Sequence, residues 1–237
     1  MSKVVVITGA NRGIGYEHVA QYAQKEWTVI ACTRQPEKAI ELLQLQDQYG
    51  TNFVIEELEV TNHKQIDELA NKYKNTAIDI LINNAGTGGP VGMPTAMDYQ
   101  KIDNMDYQIW REILEVNLLA PFKVATSFHK QISISDKKIL IMMSSDLGSV
   151  YQNNFGGLYS YRASKSGLNV IAKGMSNEWK DIIVVTLAPG WCRTHLGGAA
   201  AEIDPGDSVE EQQKMFESLT VSDNGKFLDR FGDNVPW

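Results

Sequence analysis

Short apolar runs recur along this chain of 237 residues and alternate with segments of helical spacing. The runs predict seven strands, the last of them short: 3–8, 27–33, 52–60, 77–86, 137–145, 182–189 and 225–230. The segments between them predict helices over 14–25, 36–48, 62–74, 104–131 and 158–180. Strands that are apolar throughout are covered on both faces, as in a parallel sheet between helices. Because no Ser/Pro-rich linker or charge block divides the chain, we predict one α/β domain over residues 1–237.

Charge and composition argue against several classes of partner. A net charge of -7 and a pI of about 5.2 disfavour nucleic acid and anionic membranes, although a few local arginines can still hold a small anion. No apolar run reaches membrane-spanning length, and the apolar start of the chain is too short for a secretory signal. The two cysteines lie far apart, and the four histidines have no metal-ligand spacing. We therefore expect a cytoplasmic protein without a bound metal.

A glycine-rich stretch follows the first predicted strand directly. In "VVVITGANRGIG", Gly9, Gly13 and Gly15 separate this strand from the first predicted helix. Glycines allow a sharp turn and a close approach to a ligand, and the helix N-terminus offers free N–H groups to a pyrophosphate. The spacing G-x-x-x-G-x-G differs from the G-x-G-x-x-G of many dinucleotide folds, so a tight turn without a ligand remains the alternative.

The end of the second strand indicates which dinucleotide fits. An acid about twenty residues after the glycine loop is typical of NAD binding, but this chain has Thr33 and Arg34 there. Arg12 lies inside the glycine loop. Two arginines without an acid suit the 2′-phosphate of NADP, which a guanidinium can bind through two hydrogen bonds. The sequence therefore favours NADP (NADPH) over NAD, with a solvated surface charge as the alternative for either arginine.

A tyrosine and a lysine share one face of the last long helix. Tyr161 and Lys165 are four residues apart, whereas Tyr159 is six residues from the lysine and lies round the helix from it. A nearby ammonium favours the phenolate, and a phenol with a lowered pKa can exchange a proton with a carbonyl oxygen. An isolated pair of this kind is more often an exposed Tyr–Lys pair.

Several motifs in one order give this pair its context. They are "TGANRGIG", "NNAG" (83–86), Asn117, "MSSDLGS" (143–149), "YRASK" (161–165) and "PGWCRT" (189–194). Together they resemble the short-chain dehydrogenase/reductase family over essentially the whole chain. Within the family the resemblance is to carbonyl reductases of the C-factor and sniffer type, carried by "YSYRASKSGLN", "PGWCRTHLGG" and the ending "GKFLDRFGDNVPW".

The resemblance implies a fold and an activity. The fold is a single Rossmann-type doubly wound domain with a central, mostly parallel seven-stranded sheet flanked by helices. The activity is NADPH-dependent reduction of a ketone or aldehyde. The alternative is an NADP(H)-binding signalling or redox-sensor protein of C-factor type that acts through protein contacts. A homodimer or homotetramer is also implied, and Phe122 and Val170 are apolar residues outside the main stripes of the two long helices.

Four catalytic residues are implied by the resemblance. Tyr161 would be the acid/base, and Ser145 would hydrogen-bond the substrate carbonyl. Lys165 would hold the nicotinamide ribose and lower the pKa of Tyr161. Asn117 would hold a water of a proton relay, or would be a structural residue that distorts its helix. Strand alternation puts Ser144 and Ser145 on opposite faces, so only one of them can face the substrate.

Cofactor contacts are implied at the ends of the strands. They are Gly9, Asn11, Arg12, Gly13, Ile14, Gly15, Thr33, Arg34, Glu59, Val60, Asn84, Ala85, Gly86, Tyr161, Lys165, Pro189, Gly190, Trp191 and Thr194. Glu59 stands where the family commonly has Asp near the adenine. Trp191 either packs against the nicotinamide or fills the core, and Asn83 ties strands together. Loops 86–97, 146–158 and 191–212 would form the substrate pocket, with 86–97 and 197–207 as lid candidates or plain surface loops.

Overall fold

The computed structural model describes residues 2–90 and 95–237, and in them nine strands. In chain order these are β1 (Val4–Thr8), β2 (Thr28–Thr33), β3 (Phe53–Glu57), β4 (Ile80–Asn83), β5 (Gln100–Lys101), β6 (Asn104–Met105), β7 (Ile139–Met143), β8 (Ile183–Ala188) and β9 (Phe227–Asp229). Seven form one parallel sheet in the order β3-β2-β1-β4-β7-β8-β9, and β5 and β6 form a separate antiparallel hairpin. The predicted seven-stranded Rossmann-type sheet is confirmed.

Helices cover both faces of the sheet. Those of the described residues are α1 (Gly13–Gln24), α2 (Ile40–Tyr49), α3 (His63–Lys72), α4 (Tyr107–Leu114), α5 (Ala120–Ser127), α6 (His129–Ser133), α7 (Tyr159–Glu178) and α8 (Pro205–Ser218). Val5 and Ile7 of β1 enter a core with α1, α2 and α8, whereas Val6 enters a core with α3, α5 and α7. Neighbouring strand residues point to opposite faces, so burial on both sides requires the continuous apolar runs of the sequence.

The strand order reverses between β1 and β4. From β1 the chain builds β2 and β3 on one side, and it then returns to place β4 on the other side, where Ile7 pairs with Ile82. Ligands of open α/β sheets bind at such a switch point, beyond the carboxyl ends of the strands. Here the switch point brings the glycine loop beside the "NNAG" segment at 83–86.

The predicted helix over 104–131 is wrong as a single element. The segment begins within the β5–β6 hairpin and continues as α4, a π-helical stretch at Glu115–Leu119, α5 and α6. Pro121 lies at the start of α5, and it has no N–H to donate to the carbonyl of Asn117. A widened π turn is one way for a helix to pass such a residue, and π turns are frequent at functional sites.

Helix α8 is missing from the sequence prediction, which treated 197–207 as a loop. Asp204 caps this helix by accepting a hydrogen bond from the Gly206 N–H at 2.9 Å, and Pro205 occupies the first position. The predicted 86–97 loop falls partly on 91–94, outside the described residues. Across the residues that the structure covers, no helix is both long and apolar enough to span a bilayer.

Candidate active site

The glycine loop makes unusually close backbone contacts. Gly9 and Gly13 have φ of +64° and +56°, in the left-handed region that side chains disfavour. A Cβ on Gly9 would lie 2.9 Å from the Ala85 Cα, and one on Gly15 would lie 2.2 Å from the Gly9 carbonyl oxygen. A Cβ on Gly13 would lie 3.0 Å from Thr194 Cγ2. Only glycine fits these positions without rearrangement, so the loop sequence specifies this geometry.

Side chains lock the loop to the end of β4. The Thr8 hydroxyl accepts hydrogen bonds from the backbone N–H groups of Asn84 (3.1 Å) and Ala85 (3.0 Å). In return, Asn84 Nδ2 donates to the carbonyls of Thr8 (2.9 Å) and Gly9 (3.1 Å). Asn83 Nδ2 bonds the Pro121 carbonyl and Met142 Sδ, and so ties β4 to α5 and β7. Asn84, a predicted cofactor contact, therefore also supports the glycine loop.

The N-terminus of α1 is prepared for an anion. Its cap, Arg12, is exposed and extended (φ -164°), and the Arg12 side chain makes no capping hydrogen bond. The first turn carries no acid, and it includes Ile14 and Gly15. Unbonded N–H groups and the positive end of the helix dipole favour a phosphate at such a place.

The end of β2 lies alongside the same loop. The Ala10 N–H donates to the Cys32 carbonyl at 3.0 Å, so the loop runs beside Thr33 and Arg34. Thr33 is buried, whereas the Arg34 side chain is 68% exposed and lies 3.7 Å from the Glu59 carboxylate. Exposed ion pairs of this kind are worth little, so Arg34 can turn to another anion.

Ser145 and Tyr161 meet at the end of β7. Ser145 is the N-cap of a 3-10 turn at Asp146–Gly148, where its Oγ accepts from the Leu147 N–H at 3.2 Å, and its side chain hydrogen-bonds Tyr161. Ser144 is buried and donates instead to Asn169 Oδ1 at 2.7 Å. The structure therefore brings the predicted serine to the predicted tyrosine and turns its neighbour away.

Lys165 lies between the tyrosine and the "NNAG" segment. Its Nζ donates to the Met143 carbonyl at 2.8 Å and lies 5.7 Å from the centroid of the Tyr161 ring. A Cβ on Gly86 would be 3.5 Å from this Nζ. Burial lowers the pKa of Lys165 to about 8.

The pKa of Tyr161 departs from the sequence prediction. Burial raises it to about 12, with a further increase from the Asp146 charge, and the hydrogen bond with Ser145 offsets only part of this. The expected lowering by Lys165 does not occur in this structure, because removal of the phenolate from water outweighs the favourable contacts. Tyr161 is consequently a neutral phenol at physiological pH.

Asn117 lies in the π-helical stretch and is buried. Its Oδ1 accepts from the Thr87 N–H at 2.8 Å, and its Nδ2 donates to the Thr87 carbonyl (2.8 Å) and to Ser164 Oγ (3.0 Å). These contacts join the segment after β4 to α7, the helix that carries Tyr161 and Lys165. They agree with the structural alternative for this residue, and the water relay stays a prediction.

The segment after β8 arches back over the glycine loop. The Pro189 carbonyl accepts from Ser208 Oγ at 2.7 Å, and Gly190 has a φ of +80° beside Ile203 and Arg230. Backbone bonds between 191–193 and Ile203 close the base of this segment: Ile203 N–H to the Trp191 carbonyl at 3.2 Å and Arg193 N–H to the Ile203 carbonyl at 2.8 Å.

The remaining predicted contacts lie on the same edge of the sheet. Trp191 is 49% exposed and donates through Nε1 to the Gly197 carbonyl at 2.9 Å, so the core-filling alternative for this residue is wrong. Val60 and Ala85 lie beside Thr8, and Asn11 is partly exposed at the start of the loop. The described residues contain no cluster of His, Cys, Asp or Glu that could hold a metal ion.

The short chain dehydrogenase family matches residues 3–203, which is most of the chain. The chain belongs to this family. The C-signal of Myxococcus xanthus is 30% identical to this short chain dehydrogenase over 162 residues, which cover 68% of this chain and 93% of that protein.

Two solved structures resemble this short chain dehydrogenase along its whole length. The carbonyl reductase Sniffer of D. melanogaster is 28% identical with a TM-score of 0.88, and the match covers 100% of both chains. The NADPH-bound carbonyl reductase from chicken fatty liver is 28% identical with a TM-score of 0.85, covering 100% of this chain and 99% of that one.

Two polar residues of this short chain dehydrogenase lie near Tyr161 but were not predicted as site residues. Arg162 is buried, donates from Nε to the Gly157 carbonyl at 3.1 Å, and stacks 4.4 Å from the Phe155 ring. Gln100 reaches α7 from the β5–β6 hairpin. Arg162 stands inside the "YRASK" motif but was given no role there, whereas nothing in the local sequence marks Gln100.

Proposed function

We propose that the protein is an NADPH-dependent reductase of ketones or aldehydes. The observation that carries the proposal is the convergence of Ser145, Tyr161 and Lys165 beside Gly86 and the glycine loop. A hydroxyl, a neutral phenol and a buried ammonium are then available at the carboxyl edge of the sheet. These are the groups needed to orient a carbonyl and to supply its proton.

The residues at this edge fit a nicotinamide dinucleotide phosphate. The uncapped start of α1 offers N–H donors for a pyrophosphate, and the glycines keep side chains out of this tight turn. The exposed Arg12 and Arg34 supply positive charge beside the end of β2, where Thr33 stands in place of an acid. The NADPH held by the chicken relative agrees with this assignment.

The chain's own residues divide the chemistry between them. The bound cofactor supplies the hydride. Ser145 and Tyr161 donate hydrogen bonds to the carbonyl oxygen, where negative charge develops as its carbon is reduced. Tyr161 then gives up its proton, and its pKa of about 12 keeps that proton in place until a strongly basic oxygen forms. Lys165 stabilises the phenolate that remains and donates to the ribose hydroxyls.

Tyr161→Phe tests the proposed proton donor. We expect kcat with NADPH and a reactive ketone to fall about a thousandfold, because the variant lacks the proton that the carbonyl oxygen must receive. The Kd for NADPH, measured by cofactor fluorescence, stays within about twofold because the ring is retained. Tyr159→Phe is the matched control two residues away and keeps wild-type kcat. Near-normal turnover by Tyr161→Phe would overturn the mechanism.

The cofactor preference has a separate test. Titration with NADPH and NADH should give the lower Kd for NADPH, because only NADPH has a 2′-phosphate for the arginines. Tighter binding of NADH would contradict this assignment of Arg12 and Arg34 and leave the Tyr161 mechanism standing.

One finding favours a second function, signalling through protein contacts: the likeness to the C-signal. A panel of ketones and aldehydes separates the two functions. If the protein binds NADPH but reduces none of the carbonyl compounds in the panel, the result would favour signalling. Turnover that depends on Tyr161 favours the reductase, because a protein that acts only through contacts needs no proton donor.

We also propose a homodimer or homotetramer. Val170 on α7 and Phe122 on α5 expose apolar side chains, which a subunit contact would cover. Light scattering coupled to gel filtration gives the assembly size. A monomer at micromolar concentration would contradict the proposal.

A further inference from the structure

Gln100 is a completely buried amide that bridges two segments of the site. Its side chain has 0% exposure, although it belongs to a two-residue strand of a surface hairpin. Its Oε1 accepts from the Tyr161 N–H at 3.0 Å and from the Ser160 hydroxyl. Its Nε2 donates to the Gly88 carbonyl at 2.8 Å. One side chain therefore holds both the catalytic helix and the segment after β4.

Helix α7 needs this contact because it begins without a cap of its own. Its N-cap is Leu158, which has no polar side chain and adopts a left-handed conformation with a φ of 49°. Gly156 and Gly157 before it are also left-handed. An Ncap side chain usually accepts from the N–H of the second or third helical residue. Gln100 takes this part from outside the helix, and the N–H that it bonds is that of Tyr161.

The other end of the amide reaches the second wall of the site. The Gly88 carbonyl also accepts from the Tyr99 hydroxyl at 3.1 Å, so Gln100 and the residue before it both hold this carbonyl. One residue earlier, Thr87 is bonded through its N–H and its carbonyl to Asn117. A change at Gln100 therefore moves the backbone of Tyr161 relative to the segment that carries Gly86.

We propose that Gln100 is a positioning residue for the reaction, and this rests on the proposed reductase function. It fixes the backbone of Tyr161 so that the phenol stays beside Ser145, and it couples that position to the segment after β4. Small errors in the placement of a reacting group reduce rates strongly, whereas the cofactor pyrophosphate binds at α1, away from this bridge. Loss of the amide should therefore reduce kcat far more than cofactor affinity.

Gln100→Met removes the donor and the acceptor at similar volume. We expect kcat to fall about tenfold or more, with the Kd for NADPH within about twofold. Gln108→Met, on the exposed face of α4, is the matched control and keeps wild-type kcat. An unchanged kcat in a folded Gln100→Met protein would overturn the inference. Equal losses in kcat and in NADPH affinity would also overturn it, because that result indicates general disorder.

The pH dependence of kcat in Gln100→Glu distinguishes a positioning role from a purely structural one. A protonated Glu reproduces the amide, since its O–H can donate to Gly88 and its carbonyl can accept from Tyr161. The ionised form has no donor and faces the Gly88 carbonyl. Burial raises the pKa of such a carboxyl, so kcat relative to wild type should rise as the pH falls from about 8 to about 6. A pH-independent ratio would contradict the proposed geometry.

Hydrogen exchange separates this inference from the proposed function. In wild type the Tyr161 amide is bonded to Gln100 and should exchange slowly, whereas in Gln100→Met it should exchange at least about tenfold faster. A wild type that reduces no carbonyl compound would overturn the reductase function, and the exchange rate would still decide the contact. Equal exchange of the Tyr161 amide in the two proteins would overturn the positioning role by itself.

Discussion

The glycine loop and the 146–158 segment lie at the same edge of the sheet, but they are held in different ways. The loop is shaped by backbone atoms that leave no space for a side chain, such as the Gly9 carbonyl against Gly15, and Thr8 and Asn84 tie it to the end of β4. The 146–158 segment is held by a backbone bond from the Tyr151 N–H to the Trp237 carbonyl and by side chains, among them Arg162 at the Gly157 carbonyl and Ser149 at the Pro236 carbonyl. It exposes apolar side chains such as Tyr151 and Phe155.

This difference indicates which region would recognise the cofactor and which would recognise the carbonyl compound. Backbone contacts leave almost no freedom for side-chain variation, which suits a ligand of constant shape such as a dinucleotide. Contacts made by side chains on a surface segment can change one residue at a time without disturbing the sheet. We therefore expect substitutions in the glycine loop to affect folding and cofactor binding. Substitutions in 146–158 should affect only the binding and reduction of the carbonyl compound.

Gly15→Ala should give the largest effect. The added methyl would meet the Gly9 carbonyl and Asn84 Nδ2, and overpacking against backbone should lower the free energy of unfolding by about 3 kcal/mol. Urea denaturation measures the loss, and NADPH affinity should fall with it. Gly174→Ala on α7 is the control, because its methyl enters open space and should stabilise the helix by up to about 1 kcal/mol. A tolerated Gly15→Ala would break the contrast between the two regions.

The second prediction concerns His18, which lies on α1 where this helix packs against α8. His18 is fully buried, with Nε2 2.9 Å from Gln212 Oε1, and burial lowers its pKa to about 4. The unfolded chain binds this proton near pH 6.5 and the folded chain does not. The contribution to stability is therefore complete above pH 6.5 and is lost as the pH falls towards 4, by about 2 kcal/mol at pH 5.

Urea denaturation between pH 7 and pH 5 measures this loss. His18→Gln should remove the corresponding part of the pH dependence, whereas the exposed His195→Gln should leave it intact. If the slope is the same in His18→Gln as in wild type, the buried histidine does not stay neutral in the folded protein.

Removal of a single arginine should have a smaller effect, confined to one cofactor. Arg12→Ala and Arg34→Ala should each raise the Kd for NADPH about tenfold and leave that for NADH within about twofold, because charged hydrogen bonds to the 2′-phosphate are lost. Arg111→Ala on α4 is the exposed control. Equal losses for the two cofactors would indicate that these arginines hold the pyrophosphate or the fold instead.

Phe155→Ala should give the smallest effect, and this effect should appear only in the KM for the carbonyl substrate. Loss of its stacking on Arg162 should raise KM for a bulky ketone about twofold to fivefold, with NADPH affinity unchanged. The exposed Val221→Ala, far along the chain, is the control. A parallel change in NADPH affinity would mean that the two regions are not independent.

The glycine loop and the Tyr161–Lys165 pair could be predicted because the local sequence specifies them. Glycines at fixed spacing after an apolar strand permit few backbone geometries, and Tyr161 and Lys165 share a face through helix periodicity alone. Helix α8 also had a usable signal, since Asp204 followed by Pro205 is typical of a helix start, but the small residues before it favoured a loop.

Other features depend on contacts between distant parts of the chain. The pKa of Tyr161 follows from burial, which spacing cannot reveal, so the predicted direction was wrong. Gln100 accepts a hydrogen bond from the Tyr161 N–H although the two residues are sixty-one positions apart, and neither local sequence indicates this contact. The break in the 104–131 helix was partly readable from Pro121, but the π turn around Asn117 also depends on packing against α7.

The closed base of the segment after β8 has a consequence for how new specificities can arise. Backbone bonds at Trp191, Arg193 and Ile203 tie its two ends together before the chain continues into α8. We therefore expect the residues between 197 and Ile203 to tolerate replacement, provided that Thr194, which lies against Gly13, and Gly197, which lies against the Cys192 carbonyl, are kept. On the proposed reductase function, we expect that a graft of this stretch from a relative would change which carbonyl compound is reduced.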